Sequence, residues 1–162
     1  MRQRTASEVI EFARDHKAVV VDVKFLDFPG TWQHFSVPAE ALTEESFQDG
    51  FGFDGSSIRG WRNINESDML VIPDPATAFM DPFMSEPTLS VVGDVFDPIT
   101  RERYERDPRG VGIRAENYLK STGIADKSCF GPEAEFFIFD DVRFDQRENM
   151  GYYYIDSQEG SW

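Results

Sequence analysis

The sequence predicts an α+β fold, and two patterns carry this prediction. Thr5 and Glu8 have the spacing of a capping box, and apolar residues follow at helical spacing, so a short helix should begin the chain. Apolar and polar residues then alternate over 19–25, a turn sequence occupies 27–30, and a second strand is predicted over 31–37. A helix followed by a hairpin indicates a small sheet domain of the α+β class.

The chain downstream of this hairpin continues the same mixture. A brief helix is predicted over 38–47, and short strands are predicted over 69–72 and 88–96. Residues 50–57 are too rich in glycine and serine for a regular element. Charge is dense and hydrophobicity falls over 98–108, so we expect a domain boundary there.

Elements of a second region follow that boundary. Asp107 and Pro108 suit a helix start, and Gly123 suits its end. The apolar face of this helix is predicted to consist of Val111, Ala115, Tyr118 and Leu119. Further strands are predicted at 133–139 and 152–155, so the predicted division is a first domain over 1–103 and a second region over 104–162.

The composition excludes several classes of partner. The chain has 162 residues, with 16 Lys plus Arg against 30 Asp plus Glu, for a formal net charge of −14. Such a charge repels nucleic acid and anionic lipid, so we expect neither as a partner. One cysteine, Cys129, and a first stretch of sequence without a signal-peptide core indicate a reducing, cytoplasmic protein. No stretch reaches the roughly 20 apolar residues of a membrane-spanning helix.

Two carboxylates within an apolar, β-prone run are the most informative local feature. In a strand, side chains alternate, so Glu133 and Glu135 would share one face with Phe137. Neighbouring like charges in a partly buried place are costly unless a cation lies beside them or one of the two is protonated, and a divalent metal is the natural counter-ion. The alternative is a strand at the rim of a sheet with solvated carboxylates.

The Gly/Ser-rich segment that contains Asp54 is equally open to two interpretations. Asp-Gly is an ordinary turn pair, and serine often bonds to nearby backbone, so a simple turn would explain it. It lacks the lysine of a phosphate-binding P-loop, and no dinucleotide-binding glycine motif occurs in the chain. Cys129 is expected to be a buried thiol rather than a nucleophile, because neither histidine has the context that would activate it.

Taken together, four segments carry a more specific signal. They are FDGSS at 53–57, NESDM at 65–69, DPF at 81–83 and FGPEAEFF at 130–137. In order and spacing they resemble the N-terminal part of bacterial type I glutamine synthetase, and the resemblance spans nearly the whole chain. It implies an N-terminal β-grasp domain, here 1–103, followed at 104–162 by an incomplete start of the catalytic domain.

The resemblance also implies an activity and roles for four residues. The family joins ammonia to glutamate and uses ATP to form a γ-glutamyl phosphate intermediate, with Mg²⁺ or Mn²⁺ bound. Glu133 would hold the metal nearer the nucleotide phosphates, and Glu135 the metal nearer glutamate. Asp54 would help to bind ammonium and take its proton, and Ser57 would support its loop. Residues that bind the nucleotide are not identified.

The family's assembly adds a further expectation. The Asp54 loop would act in the active site of a neighbouring subunit within a homo-oligomer of twelve. Because most family ligands lie beyond residue 162, we expect this chain alone to lack synthetase activity. Two alternatives stay open: a non-catalytic β-grasp module that docks to partners through its hairpin edge, and a relative that joins glutamate to another amine.

Overall fold

The computed structural model describes residues 4–162, and these fall into two compact units. The first unit ends at Lys127, and the second is Ser128–Trp162. Residues 1–3 of the predicted first domain, together with the start of the segment in which no signal-peptide core was found, lie outside the described residues. Within 4–162, no helix is long and apolar enough to cross a membrane.

The first unit mixes helices and strands as predicted. Its α-helices are α1 (Ala6–Asp15), α2 (Glu44–Asp49) and α3 (Pro108–Ser121). Its strands are β1 (Val20–Leu26), β2 (Trp32–Pro38), β3 (Phe51–Asp54), β4 (Asp68–Pro73), β5 (Phe79–Met80) and β6 (Thr88–Phe96). Four single turns of 3-10 helix lie between them, at Ala39–Ala41, Gly55–Ser57, Ile64–Glu66 and Pro75–Thr77.

The six strands form one mixed sheet. Five of them lie in the order β2-β1-β6-β4-β3, and β5 also pairs with β6. β1 and β6 are parallel, with Val23 beside Val91, whereas the other pairs are antiparallel. β6 is therefore the central strand, and its nearly continuous burial is typical of a strand that is covered on both faces.

Burial of apolar side chains from the helices and the sheet forms one core. α1 contributes Val9 and Ala13, and β1 contributes Val21, Val23 and Phe25. The remaining buried apolar residues of this cluster are Leu42, Ile58, Trp61, Met69, Val71, Ala78, Leu89, Val91, Val95 and Tyr104. The core thus includes residues from the loop that follows β3.

The local signals at the start of the chain are confirmed. Thr5 and Glu8 form a reciprocal capping box, in which each side chain accepts a hydrogen bond from the other residue's backbone N–H. β1 and β2 form the predicted hairpin, and the Asp27 carboxylate accepts hydrogen bonds from the backbone N–H of Thr31 and from the side chain of Gln33. Gly30 closes the turn with a φ of 90°, which glycine adopts without strain.

The prediction for residues 50–57 is wrong in its first half. Residues 51–54 form β3, which pairs with β4. Two of its four residues, Gly52 and Asp54, are of types that are depleted in strands. Phe51 and Phe53 are half-buried and face the core, and Gly52 between them is exposed. Cross-strand packing of the two phenylalanines therefore outweighs the low β-propensity of glycine.

α3 starts and stops where the sequence predicts, but its apolar face is not buried among the described residues. Asp107 caps its first turn, and Gly123 follows its end with a φ of 70°. Val111 is 44% exposed and Tyr118 is 73% exposed. The helical period was readable from the sequence, whereas the surface that this face would pack against was not.

The second unit contains one antiparallel hairpin, formed by β7 (Asp141–Arg147) and β8 (Met150–Asp156). β8 confirms the strand predicted at 152–155, and β7 was not predicted. The strand predicted at 133–139 is wrong, because residues 128–139 form no helix or strand. A strand forms only when it is hydrogen-bonded to a neighbouring strand. In the part of the chain that the structure describes, no strand pairs with this segment.

Candidate active site

The Asp54 carboxylate lies where β3 ends and its chain turns. Asp54 is the last residue of β3 and the cap of the 3-10 turn Gly55–Ser57. Its Oδ1 accepts two hydrogen bonds from Ser56, one from the backbone N at 2.8 Å and one from the hydroxyl Oγ at 2.6 Å. Side-chain capping of this kind fixes the carboxylate relative to its own backbone.

Packing beneath the turn leaves no room for a side chain at Gly55. Gly55 is buried, and its N–H donates to the carbonyl of Ser67 at 2.7 Å. A Cβ built on Gly55 would lie 2.4 Å from Sδ of the fully buried Met69. The glycine therefore lets β3 and the turn lie directly on the core.

Aromatic side chains anchor both ends of the loop that follows β3. Phe53 precedes Asp54 and packs against Phe25 with the two rings tilted, their centroids 4.7 Å apart. Trp61, at the far end, lies 5.6 Å from Phe25 and 5.2 Å from Tyr104, whose hydroxyl donates to the Trp61 carbonyl. The loop is thus held at both ends while Asp54 itself is exposed.

The surroundings of Asp54 favour its ionised form. Hydrogen bonds from the Ser56 hydroxyl and the Ser56 backbone N–H lower the pKa of the Asp54 carboxyl below its usual value of 3.8, and the Ser67 hydroxyl contributes a smaller effect. Asp68 on β4 lies directly opposite Asp54 in the register and is also exposed. Two carboxylates at neighbouring cross-strand positions produce a negative potential that attracts small cations.

Ser57, which was predicted to support the Asp54 loop, does not contact Asp54 through a hydrogen bond. Its side chain is exposed and forms no hydrogen bond within residues 4–162. The serine that hydrogen-bonds to Asp54 is Ser56, one position earlier. An aspartate followed two residues later by serine is the spacing at which an aspartate caps a turn, so the signal was present in the sequence.

Glu133 and Glu135 belong to the second unit, whereas Asp54 and Ser57 belong to the first. Both are exposed and belong to the irregular segment 128–139. The prediction that Glu133 and Glu135 share one face of a partly buried strand is therefore wrong. The flanking Phe136 and Phe137 are 79% and 85% exposed, so the apolar run that suggested burial is itself at the surface of this chain.

The donor chemistry of this pair suits a hard divalent cation, but the pair is not a complete site. Carboxylate oxygens are preferred ligands of Mg²⁺ and Mn²⁺. Mg²⁺ takes six oxygen ligands, and no group of three or more His, Cys, Asp or Glu side chains that could hold a metal occurs in the described part of the chain. Two glutamates could thus supply part of a metal's ligands, with the others coming from water or other groups.

Family comparisons cover both parts of the chain. Residues 17–98 match the family described as glutamine synthetase, beta-Grasp domain, and residues 105–161 match the family described as glutamine synthetase, catalytic domain. The expected β-grasp fold is thereby confirmed. These matches leave 99–104 between them, and the predicted boundary at 103 and 104 stays a prediction.

Relatives named glutamine synthetase align with almost the whole chain. The protein from Microchaete diplosiphon is 56% identical over 158 residues, which is 98% of this chain and 34% of that protein. The protein from Mycolicibacterium smegmatis is 51% identical over 162 residues, covering 100% of this chain and 34% of that protein. The chain therefore spans about a third of the length of the relatives it matches.

Solved structures agree with these relatives. The cryo-EM structure of Plasmodium falciparum glutamine synthetase has a TM-score of 0.78 and 27% identity, and the match covers 98% of this chain and 31% of that one. The GmaS/ADP complex, with a TM-score of 0.60 and 22% identity over 71% of this chain and 26% of that one, shows a shared fold alone.

The fold and the comparisons together define a β-grasp domain followed by a segment that matches a catalytic-domain family. More particularly, the chain belongs to the glutamine synthetase family.

Proposed function

We propose that this chain forms part of an ATP-dependent glutamate–ammonia ligase that makes glutamine through a γ-glutamyl phosphate. The observation that carries the proposal is the Asp54 turn, which presents a fixed, exposed and readily ionised carboxylate on a β-grasp domain of this family. Glutamate, ammonium and ATP are the proposed substrates. The relatives that align with this chain at 51–56% identity are named for the same activity.

Asp54 is proposed to act on ammonium. The ammonium cation is protonated at neutral pH and has no lone pair for attack on an acyl phosphate, so a proton must first leave it. An ionised carboxylate binds the cation by charge and accepts this proton before the nitrogen attacks. The lowered pKa of the Asp54 carboxyl keeps it ionised, which favours binding of the cation. For the same reason the carboxyl readily gives up a proton that it has accepted.

Glu133 and Glu135 are proposed to hold divalent metal, as Mg²⁺ or Mn²⁺. Their oxygens suit this role, and a bound cation would neutralise charge on the transferred phosphoryl group. In this chain the two carboxylates are exposed and would need further ligands. Glu133 is assigned to the metal nearer the nucleotide and Glu135 to the metal nearer glutamate.

An assembly of identical subunits is the proposed setting for this chemistry. Asp54 would act in the active site of an adjacent subunit of a dodecamer, which suits its position on an exposed turn. The cytoplasm is the proposed compartment, because a chain with one cysteine, Cys129, contains no internal disulfide. In the structure Cys129 is exposed. The predicted burial of that thiol is wrong.

A chimera tests the proposed activity directly. These 162 residues replace the matching third of the Mycolicibacterium smegmatis relative, and ATP-dependent glutamine formation is measured. We expect activity within about tenfold of the parent enzyme, because the exchanged segments are 51% identical and align over all 162 residues. The isolated 162-residue chain, assayed beside it, should form no glutamine.

The metal assignment has its own variants in that chimera. Glu133→Gln and Glu135→Gln should each raise the Mn²⁺ concentration needed for half-maximal activity by about tenfold or more, because each removes a charged ligand. Glu148→Gln, in the exposed turn between β7 and β8, is the matched control and should leave it unchanged. Equal effects of all three would contradict the assignment. A chimera that folds and assembles but makes no glutamine would contradict the proposed function.

A further inference from the structure

We propose that Ser56 is a positioning residue of the ammonium site, because it holds one oxygen of the Asp54 carboxylate above the close contact between Gly55 and Met69. The inference depends on the proposed function for its catalytic meaning. Its geometric content belongs to this chain alone.

The two serines differ in what they contact. Both hydrogen-bond donors of Ser56 converge on Oδ1 of Asp54, at 2.8 Å from the backbone N and 2.6 Å from the hydroxyl Oγ. The hydroxyl of Ser57 contacts no hydrogen-bond partner among residues 4–162. Deleting the Ser56 hydroxyl would therefore remove the shorter of the two hydrogen bonds that hold Oδ1, and deleting the hydroxyl of Ser57 would remove neither.

The arrangement divides the work of the two carboxylate oxygens. Oδ1 is occupied by Ser56, and Oδ2 lies outside this pair of hydrogen bonds. A carboxylate held by one oxygen presents the other in a defined direction, where it can bind a cation and accept a proton. Ser56 itself would touch neither ammonium nor the reacting atoms, so it is a positioning residue.

The floor beneath the turn prevents the backbone from compensating. Gly55 bonds to the Ser67 carbonyl at 2.7 Å and lies against Met69, which is 1% exposed. The backbone N–H of Ser56 is fixed by this contact, so the hydroxyl is the part of the interaction that a substitution can remove without moving β3. Asp68, opposite in the register, is the charged group that faces the turn from β4.

The test is a carboxyl titration by NMR on the 162-residue chain, with Ser56→Ala, Ser56→Thr and Ser57→Ala. The titration midpoint of Asp54 should rise toward 3.8 in Ser56→Ala, return in Ser56→Thr, and stay at the wild-type value in Ser57→Ala. Amide spectra identify folded variants, and Ser56→Thr keeps the comparison available because it retains the hydroxyl. An unchanged midpoint in Ser56→Ala, or an equal rise in Ser57→Ala, would overturn the inference.

The catalytic meaning is measured in the chimera described above. Ser56→Ala should lower kcat/KM for ammonium by about tenfold while KM for ATP stays constant, and Ser56→Thr should restore it. A loss that Ser56→Thr fails to restore would overturn the positioning role. If the chimera were inactive while the Asp54 midpoint still moved, the proposed function would fail and the positioning of Asp54 by Ser56 would stand.

Discussion

Gly55 shows how a single position can couple the candidate site to the core. Its backbone lies so close to Met69 that a methyl group would overlap the thioether, whereas an added Cβ at Gly52 meets no atom within 4 Å. Gly55→Ala should therefore cost about 1–3 kcal/mol of unfolding free energy by overpacking. Urea denaturation checks this expectation.

Gly52→Ala is the matched control for that substitution, since Gly52 lies three residues earlier, in β3, and the change adds the same methyl group. It should change the unfolding free energy by less than about 1 kcal/mol. Similar losses in the two variants would show that the contact with Met69 does not limit this position.

At the residue scale, the sequence identified the Asp54 turn but not its partner. The Asp-Gly-Ser-Ser motif predicts a turn, and two serines follow at spacings that could both reach the carboxylate. Which of them points back toward Asp54 depends on the 3-10 turn, and that turn depends on Gly55 packing against Met69. A tertiary contact therefore decides a local hydrogen bond.

At the scale of elements, Asp107 joins α3 to the central strand. The fully buried side chain caps α3 by accepting from the N–H of Arg109, and it also accepts from the N–H of Val95 on β6. Burial raises the pKa of the Asp107 carboxyl, although these two hydrogen bonds oppose the shift. One side chain thus satisfies two backbone donors that would otherwise be buried without partners.

Asp107→Ala should accordingly lower the unfolding free energy by about 3 kcal/mol, because it removes a helix cap and leaves a buried N–H unpaired. Thr5→Ala, which removes a cap at the exposed start of α1, should cost about 1 kcal/mol. Thermal or urea unfolding of the two variants measures the difference. A smaller loss for Asp107→Ala than for Thr5→Ala would contradict the proposed link between α3 and β6.

Elements whose signals are local were predictable, and elements that need distant partners were not. The capping box of α1 and the turn of the β1–β2 hairpin are encoded within a few residues. β3 needed β4 and its phenylalanines to form, and the apolar run after Glu133 remained irregular without a pairing strand. The period of a sequence predicts a side-chain pattern, and pairing decides whether a strand forms.

At the scale of the whole molecule, a network of ion pairs around Asp94 is expected to stabilise the fold at neutral pH and to lose this effect in acid. Asp94 is largely buried and pairs with Arg103 at 2.8 Å and with Arg109 at 2.8 Å. Burial raises its pKa, but the hydrogen bonds and charges of the two arginines prevail and hold the pKa of the Asp94 carboxyl below 3.8. Arg109 also bonds to Asp74 at 2.6 Å, which ties the network to the turn after β4.

Because the folded-state pKa of Asp94 lies below its unfolded value, its contribution is present above about pH 4 and is lost as the pH falls through the folded pKa. Asp94→Asn should lower stability by about 2 kcal/mol at pH 7 and make the decline in acid shallower than in the wild type. Denaturation between pH 7 and pH 2, about the range in which carboxylates titrate, measures both effects. Asp126→Asn, an exposed carboxylate, is the control. Parallel curves for Asp94→Asn and the wild type would contradict the assignment.

The division into two compact units predicts where a protease cuts first. Lys127 lies at their junction, within a segment that has no helix or strand, and it is exposed. Arg101 is also in a turn, but its guanidinium donates to the carbonyls of Gln48 and Asp49 at the end of α2. Trypsin should therefore cleave after Lys127 before it cleaves after Arg101. Mass spectrometry of early digestion products gives the order, and earlier cleavage at Arg101 would contradict the division.

The central claim is that Asp54 binds ammonium and accepts its proton, and one kinetic comparison tests this claim most directly. In the chimera, Asp54→Asn keeps the shape of the side chain and removes its charge. We predict that kcat/KM for ammonium falls by about 100-fold or more, while KM for ATP changes by less than about twofold. An unchanged kcat/KM for ammonium, or an equal loss for ammonium and ATP, would contradict the account.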